Sequence, residues 1–283
     1  MRKKILTCLL MISMTGALAQ DTTAVKKSYG MAALNFINNS VYNGRKDSVN
    51  TPYLTPTLGY YHKSGFYIEG SASYLLRSGS GRFDLFTLGA GYDFSFGNFE
   101  GQVAAEKYFY NNNSTNVAAE VKGIILTSGT YDFGFIRSWF QPGISFSGKT
   151  DYWLSWGVDH SFIPDDRWEI APSFSLNAET RNYYTSWFGN RRFKPKKGPA
   201  APTVTASMAN ASKLTIMDYE FSVPVSYSVN RFTFGFTPYY AIPVNPAVVT
   251  LTIKPPLAPS FTKTITEKTE NSFYFSFDIE FRF

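Results

Sequence analysis

The sequence of 283 residues holds one cysteine, Cys8, and two histidines, His62 and His160. Cys8 lies near the N-terminus, and the rest of the chain has no thiol for a disulfide, a metal site or a nucleophile. With two histidines and no other cysteine, a zinc site of ordinary composition is not expected. No stretch after the leader approaches the roughly 20 consecutive apolar residues that a membrane-spanning helix needs.

The N-terminus has the three parts of a secretory leader. They are the cations Arg2, Lys3 and Lys4, the mostly apolar run Ile5 to Leu18, and the cleavage pattern Ala17-Leu18-Ala19. This pattern predicts a cleaved signal peptide over residues 1–19, followed by a short periplasmic segment over residues 20–28. Cys8 precedes most of the apolar run, where a lipoprotein cysteine would follow it. Lipidation is therefore not expected.

Charge does not indicate a nucleic-acid partner. The chain has 27 basic and 21 acidic side chains, and loss of the three leader cations brings the net charge to about +3. Aromatic residues, in contrast, make up 18% of the chain, with 26 Phe and 19 Tyr. A polar average combined with so many aromatics is typical of a membrane barrel, in which every second residue of each strand meets lipid.

Runs of alternating apolar and polar residues recur from residue 29 to the last residue. They predict twelve strands: 29–37, 53–62, 66–76, 83–96, 98–109, 116–127, 131–146, 151–162, 167–179, 214–229, 231–242 and 271–283. Pro172, Pro224 and Pro238 predict bulges or loosely paired positions. The fold class predicted is all-β, a single transmembrane antiparallel barrel of about 12 strands over residues 29–283.

The connections alternate between short and long, as they do in such barrels. Five predicted short turns are rich in Gly, Asn, Asp or Pro: His62 to Gly65, Phe96 to Asn98, Thr127 to Thr130, Ile163 to Asp166, and Val229 to Arg231. The long connections include 38–52, 110–115, 180–213 and 243–270. We expect the short turns in the periplasm and the long loops outside the cell. The run from Val248 to Ile253 is interpreted as a strand extension that protrudes above the membrane.

The last predicted strand alternates without a break. Its apolar face comprises Phe273, Phe275, Phe277, Ile279, Phe281 and Phe283. It resembles the closing strand of bacterial outer-membrane β-barrel proteins of the porin type. That resemblance implies that these six residues form the insertion signal read by the barrel-assembly machinery, and that the protein is integral to the outer membrane.

The opposite faces of the strands predict a polar lumen with more acid than base. The lumen-lining candidates are Glu69, Asp93, Glu106, Glu120, Lys122, Asp159, Glu169, Asp218, Glu220, Asp278, Glu280 and Arg282. They fit either a solvated interior with cross-strand ion pairs or an acidic constriction that favours cations.

One histidine–serine pair and one basic loop remain. His62-Lys63-Ser64 resembles the H-x-S spacing of outer-membrane lipid A deacylases, but its place in a predicted periplasmic turn favours a plain polar turn.

The loop 180–213 carries Arg191, Arg192, Lys194, Lys196 and Lys197 among aromatics, which predicts contact with lipopolysaccharide phosphates. An anionic glycan, a solvated loop and an inward-folded plug are the alternatives.

Three functions follow from these features. A narrow porin-like channel for small solutes is the main hypothesis. The first alternative is a structural or binding barrel whose loops contact lipopolysaccharide, a glycan or a protein partner. The second is a lipid-modifying hydrolase. We expect a protein that is not an enzyme and has no cofactor and no metal, with outer-membrane lipid and lipopolysaccharide as its surroundings.

Overall fold

A computed structural model describes residues 27–46, 50–114, 116–187 and 202–283. The wall strands are β1 (Tyr29–Ile37), β4 (Tyr53–Tyr61), β5 (Phe66–Leu75), β6 (Arg82–Phe96), β7 (Phe99–Tyr110), β8 (Gly123–Asp132), β9 (Arg137–Phe146), β10 (Thr150–Asp159), β11 (Trp168–Ile170) with β12 (Ser173–Glu179), β14 (Thr215–Ser222) with β15 (Val225–Val229), β16 (Phe232–Pro243) and β19 (Ser272–Arg282). The described connections contain β2 (Val41–Tyr42), β3 (Arg45–Lys46), β13 (Thr203–Met208), β17 (Val248–Lys254) and β18 (Phe261–Thr266).

The wall is one antiparallel sheet that closes on itself. Strand β19 pairs with β1 on one side and with β16 on the other, so every wall strand has two neighbours. Counting β11 with β12 and β14 with β15 as single interrupted strands gives the twelve strands that the alternation predicts. The predicted closed all-β barrel is confirmed, because closure leaves no strand edge unpaired in the wall.

Two of the three prolines singled out in the sequence interrupt the wall. Pro172 separates β11 from β12, and Pro224 separates β14 from β15. Pro238 lies within β16, where it is in register with Phe275. Proline has no backbone N–H to give to a neighbouring strand, so it breaks the ladder or occupies a position that needs no donor.

One predicted turn was wrong. Thr127 to Thr130 continues β8, and the turn lies instead at residues 133–136, where Gly134 has φ 90° and donates its N–H to Asp132 Oδ1 at 2.7 Å. The predicted strand 116–127 starts only at Gly123, since residues 117–120 form a 3₁₀ turn capped by Asn116. The Ser-Gly pair at 128–129 is typical of a turn, but Gly129 lies within β8, in register with Gly101 and Phe140, and the Phe99 ring lies over it.

The two ends of the barrel differ as predicted. One end carries only short turns, such as those at residues 62–65 and 230–231, and we call it the short-turn end. The other end, the long-loop end, carries the long connections with helix α1 (Asn182–Trp187) and the three-stranded sheet β13–β17–β18. The interpretation of Val248 to Ile253 as an extension of a wall strand was wrong: the run is the middle strand of that separate sheet, with Val249 and Leu251 buried. Among the described residues, no helix has the length and apolar character needed to cross a bilayer.

Side chains alternate across the wall as the sequence predicts. In β19, Phe273, Phe277 and Ile279 are exposed on the outside, whereas Tyr274 and Ser276 are buried on the inside. Elsewhere inside the wall, large rings lie over glycines of the next strand. A Cβ at Gly157 would approach the Trp139 ring to 2.3 Å, so only glycine admits that ring.

Candidate functional site: the lumen cavity

A cavity of about 110 Å³ lies inside the wall, between β1, β4, β5, β6 and β7 on one side and β16 and β19 on the other. Most of its polar lining residues carry a hydroxyl or an amide group. These groups come from Asn35, Ser40, Tyr53, Thr55, Thr57, Ser71, Ser73, Thr87, Tyr110, Asn116, Tyr239, Tyr274 and Ser276. Because inward positions recur at every second residue, neighbouring strands place these groups in rows around the cavity.

Two carboxylates share one row of the sheet. Glu69 is in register with Gly89, and Gly89 is in register with Glu106, so a glycine is all that separates them along the row. A Cβ at Gly89 would meet Glu106 Cγ at 2.9 Å, which shows that the Glu106 side chain lies over the glycine. Glu69 accepts a hydrogen bond from the Tyr61 hydroxyl. Both carboxylates line the cavity.

A third carboxylate, Asp84, reaches the cavity through a bulge. The pairing of β5 with β6 shifts between Ser73 and Tyr74, and this shift turns Asp84 inward against the simple alternation. Asp84 accepts hydrogen bonds from Tyr53 at 2.7 Å and Ser114 at 2.6 Å, and pairs with Arg82 at 2.7 Å. Arg82 thus compensates the charge of Asp84, whereas the described cavity lining contains no Lys, Arg or His that could compensate Glu69 or Glu106.

An aromatic cluster occupies the lumen beside the cavity. Tyr61 stacks between Tyr29 and Tyr67, with ring centroids 4.9 and 5.3 Å apart. The same buried cluster continues through Tyr108 to Tyr183 of α1. It also includes Val249 and Leu251 of the small sheet, and Trp153 packs against it. Wall and loops therefore share one apolar core, which runs through the lumen from Tyr61, beside the 62–65 turn, to the small sheet at the long-loop end.

The remaining inward carboxylates on the strands are mostly held by polar neighbours. Three accept hydrogen bonds from side-chain amides: Asp93 from Gln102 at 2.9 Å, Asp218 from Asn177 at 3.4 Å and Asp278 from Asn35 at 2.6 Å. Glu220 accepts a hydrogen bond from the Tyr274 hydroxyl. Two form ion pairs: Asp159 with Arg137, and Glu280 with Arg282. Glu169 is buried on β11, and the Arg282 guanidinium lies 5.1 Å from the Tyr29 ring centroid. None of these carboxylates lines the cavity, although Asn35 and Tyr274, which donate to two of them, do.

Two predicted lumen residues are corrected. Glu120 ends the 3₁₀ turn, and Lys122 is exposed in the connection before β8, so neither lies on a wall strand. The physical reason is that β8 starts only at Gly123. The signal missed in the sequence is the Asn116 cap, whose side chain accepts from the Ala118 N–H at 2.9 Å.

The other sequence predictions lie elsewhere. The six apolar residues of the predicted insertion signal occupy the outer side of the barrel, and their role in assembly stays a prediction. Arg191, Arg192, Lys194, Lys196 and Lys197 lie outside the described residues, as does the leader.

His62 and Ser64 lie in an exposed turn. The His62 ring contacts the Ser64 hydroxyl at 2.7 Å, and the backbone N–H of Ser64 donates to His62 Nδ1 at 3.3 Å. Both contacts are local to the turn, which is the arrangement of a polar hairpin. Among the described residues, no group of three or more His, Cys, Asp or Glu side chains could hold a metal ion.

No protein-family model matches the chain, and no curated protein matches its sequence. Solved structures with a similar fold include the KdgM porin, at TM-score 0.44 and 10% identity over 90% of this chain and 99% of that one. They include the NanC porin, at 0.46 and 8% over 89% and 97%, and LpxR from Salmonella typhimurium, at 0.42 and 10% over 89% and 100%. The chain itself is a closed antiparallel β-barrel of twelve wall strands. Likenesses this distant say nothing of what it carries.

Proposed function

We propose that the protein is a porin-like channel of the outer membrane for small polar solutes, and that it passes cations and uncharged solutes more readily than anions. The long-loop end faces the outside of the cell and the short-turn end faces the periplasm. Export through the signal peptide 1–19 and insertion by the barrel-assembly machinery belong to the same proposal, as does lipopolysaccharide contact by the basic loop.

The observation that carries the proposal is the acidic lining of the cavity. Its described lining residues include three carboxylates and neither Lys, Arg nor His. Rings and rows of carboxylates favour cations in narrow pores, because the low dielectric of the surrounding wall strengthens their field. The hydroxyl groups replace part of the hydration shell of a passing solute.

A second candidate is a barrel with a closed lumen that acts by binding. The aromatic cluster favours it, since Tyr67, Tyr108 and Trp153 fill lumen space and the loops pack onto them. A channel then requires that the loops move, whereas a binding barrel works with its loops in place. The two candidates therefore differ in whether the purified protein ever conducts.

Conductance across planar bilayers under a salt gradient tests the proposal. We expect openings with a reversal potential of the sign for cation preference. The double variant Glu69→Gln/Glu106→Gln should move the cation-to-anion permeability ratio toward one. Glu270→Gln removes one carboxylate from an exposed loop position and should leave the ratio unchanged. Absence of any conductance at all voltages would contradict the channel and favour the binding barrel.

A further inference from the structure

A short hairpin in the first long connection enters the barrel mouth. Residues 41–46, which we call the mouth hairpin, pair Val41 with Lys46 and Tyr42 with Arg45. Asn43 and Gly44 form its two-residue turn, with φ values of 48° and 72°. Asn-Gly is the pair that such tight turns require, because both residues need positive φ. The mouth hairpin therefore has a defined shape of its own.

The mouth hairpin extends from β1 to the inner side of distant strands. A Cβ at Gly44 would lie 2.7 Å from Asp218 Cβ and 3.2 Å from Pro243, so its tip touches β14 and β16. The Tyr42 hydroxyl donates to Glu179 of β12 at 2.6 Å, and the Asn43 amide donates to the same carboxylate. Since Glu179 and Asp218 are buried inward residues, the tip lies within the mouth.

The electrostatics of this contact favour a neutral Tyr42. Burial, and then the nearby Glu179 carboxylate, raise the pKa of the Tyr42 hydroxyl well above its usual range. Tyr42 therefore keeps its proton and remains the donor to Glu179. Its ring also meets the Tyr183 ring of α1 edge-on, with centroids 5.6 Å apart.

Arg45 ties the mouth hairpin to the other long connections. Its guanidinium is buried, and Nε pairs with Glu267 at 3.0 Å. One terminal nitrogen donates to the carbonyls of Asn43 and Met217, at 2.7 and 3.0 Å, and the other to those of Val244 and Asn245, at 2.8 and 3.2 Å. A planar fork of donors serves this set of acceptors, which a lysine ammonium cannot do.

Glu267 connects the same contact to α1 and the small sheet. Besides Arg45, its carboxylate accepts from the Tyr184 hydroxyl at 2.6 Å and from the Ala247 N–H at 3.0 Å. Arg181 donates to the Asn245 carbonyl at 2.9 Å, and burial together with the nearby Arg45 lowers its pKa. The ion pair Arg45–Glu267 is thus the point where the mouth hairpin, α1 and residues 244–267 are joined.

We propose that the Arg45–Glu267 pair is a latch that holds the mouth hairpin and α1 across the lumen, and that its release opens the cavity to the long-loop end. This inference rests on the proposed function only for the consequence of opening, which is conduction. The latch lies in the connections, and the ladder of wall strands closes without it. Its loss therefore loosens the contact between the mouth hairpin, α1 and residues 244–267 and leaves the pairing of the wall strands in place.

The test measures access to the cavity directly. A cysteine is introduced at Ser71, which lines the cavity, and its reaction with a charged, membrane-impermeant thiol reagent is timed on intact cells. The variants are Arg45→Gln, Arg45→Lys and Glu267→Gln. Lys268→Gln and Glu270→Gln serve as matched controls, because they remove charges from exposed positions next to Glu267. A cysteine at the exposed Thr262 reports the reagent's own rate.

We expect Arg45→Gln to speed labelling at position 71 by about ten- to a hundredfold, the range for losing hydrogen bonds to a charged group. Arg45→Lys should be labelled almost as fast as Arg45→Gln. The labelling rate of Glu267→Gln should lie between that of Arg45→Gln and those of the controls. Unchanged labelling in Arg45→Gln and Glu267→Gln, or a similar rise in the controls, would overturn the latch. Faster labelling without conductance in the same variants would support the latch and contradict the channel.

Discussion

The wall of the barrel and the loops at its long-loop end are stabilised in opposite ways. Wall strands repeat one backbone ladder, and their side chains alternate between an apolar outside and a polar inside. The loops depend on a few specific contacts, of which Arg45 with Glu267 and Asp151 with the start of α1 are the clearest. Changes in the wall should therefore act on the whole barrel, whereas changes in the loops should act on access to the lumen.

The strongest test of this contrast places one charge in each region. Phe277, 48% exposed, is the central residue of β19, and Phe261, 52% exposed, lies on β18 in the small sheet. Phe277→Arg should destabilise the barrel in lipid vesicles by about 2–4 kcal/mol, the cost of a cation at the bilayer midplane. Urea unfolding followed by heat-modifiable gel migration measures this change.

Phe261→Arg is the matched control, because an arginine in water carries no such cost. Its unfolding midpoint should match that of the unmodified protein. Equal losses for Phe277→Arg and Phe261→Arg would show that the wall faces water, and the membrane barrel would then be wrong.

A smaller effect distinguishes two glycines within the wall. A Cβ at Gly157 would lie 2.3 Å from the Trp139 ring and 2.8 Å from the Phe174 carbonyl oxygen, whereas at Gly70 its nearest contact is 3.7 Å away. Gly157→Ala should therefore cost about 1–3 kcal/mol through overpacking. Gly70→Ala should be close to neutral, since an ordinary contact requires no shift of the neighbours.

The same unfolding assay compares these two variants. Gly157→Ala should also lower the intensity of near-ultraviolet circular dichroism, because Trp139 loses its fixed position. A Gly70→Ala variant as unstable as Gly157→Ala would contradict the role given to the ring-over-glycine contact.

Alternation in the sequence predicts the wall well because it is a repeated, local signal. Phe273 and Phe277 face outward as expected, and Glu69 and Glu106 face the cavity. Asp84 was missed because a bulge reverses the alternation at that residue, and nothing in the residues beside it marks the bulge. The wall strands could be predicted because residues two apart along the chain share one face of a strand.

The latch could not be predicted in this way. Asn43-Gly44 is a recognisable turn pair, but Arg45 meets its partners Met217 and Glu267 only once the barrel has closed. Side chains joined across about 170 to 220 residues leave no periodic pattern in the sequence. The cavity itself depends on such contacts, since the loops and the wall build it together.

Amide hydrogen exchange of the purified barrel, with and without Arg45→Gln, tests the separation of wall and loops most directly. Exchange reports local opening, so the exchange rates of the wall and of the loops are measured separately. We predict that the substitution speeds exchange in the mouth hairpin, α1 and residues 244–267, while β4 to β10 keep the slow exchange of the unmodified protein. Faster exchange throughout those wall strands would contradict the account, because the loops would then be part of what holds the barrel closed.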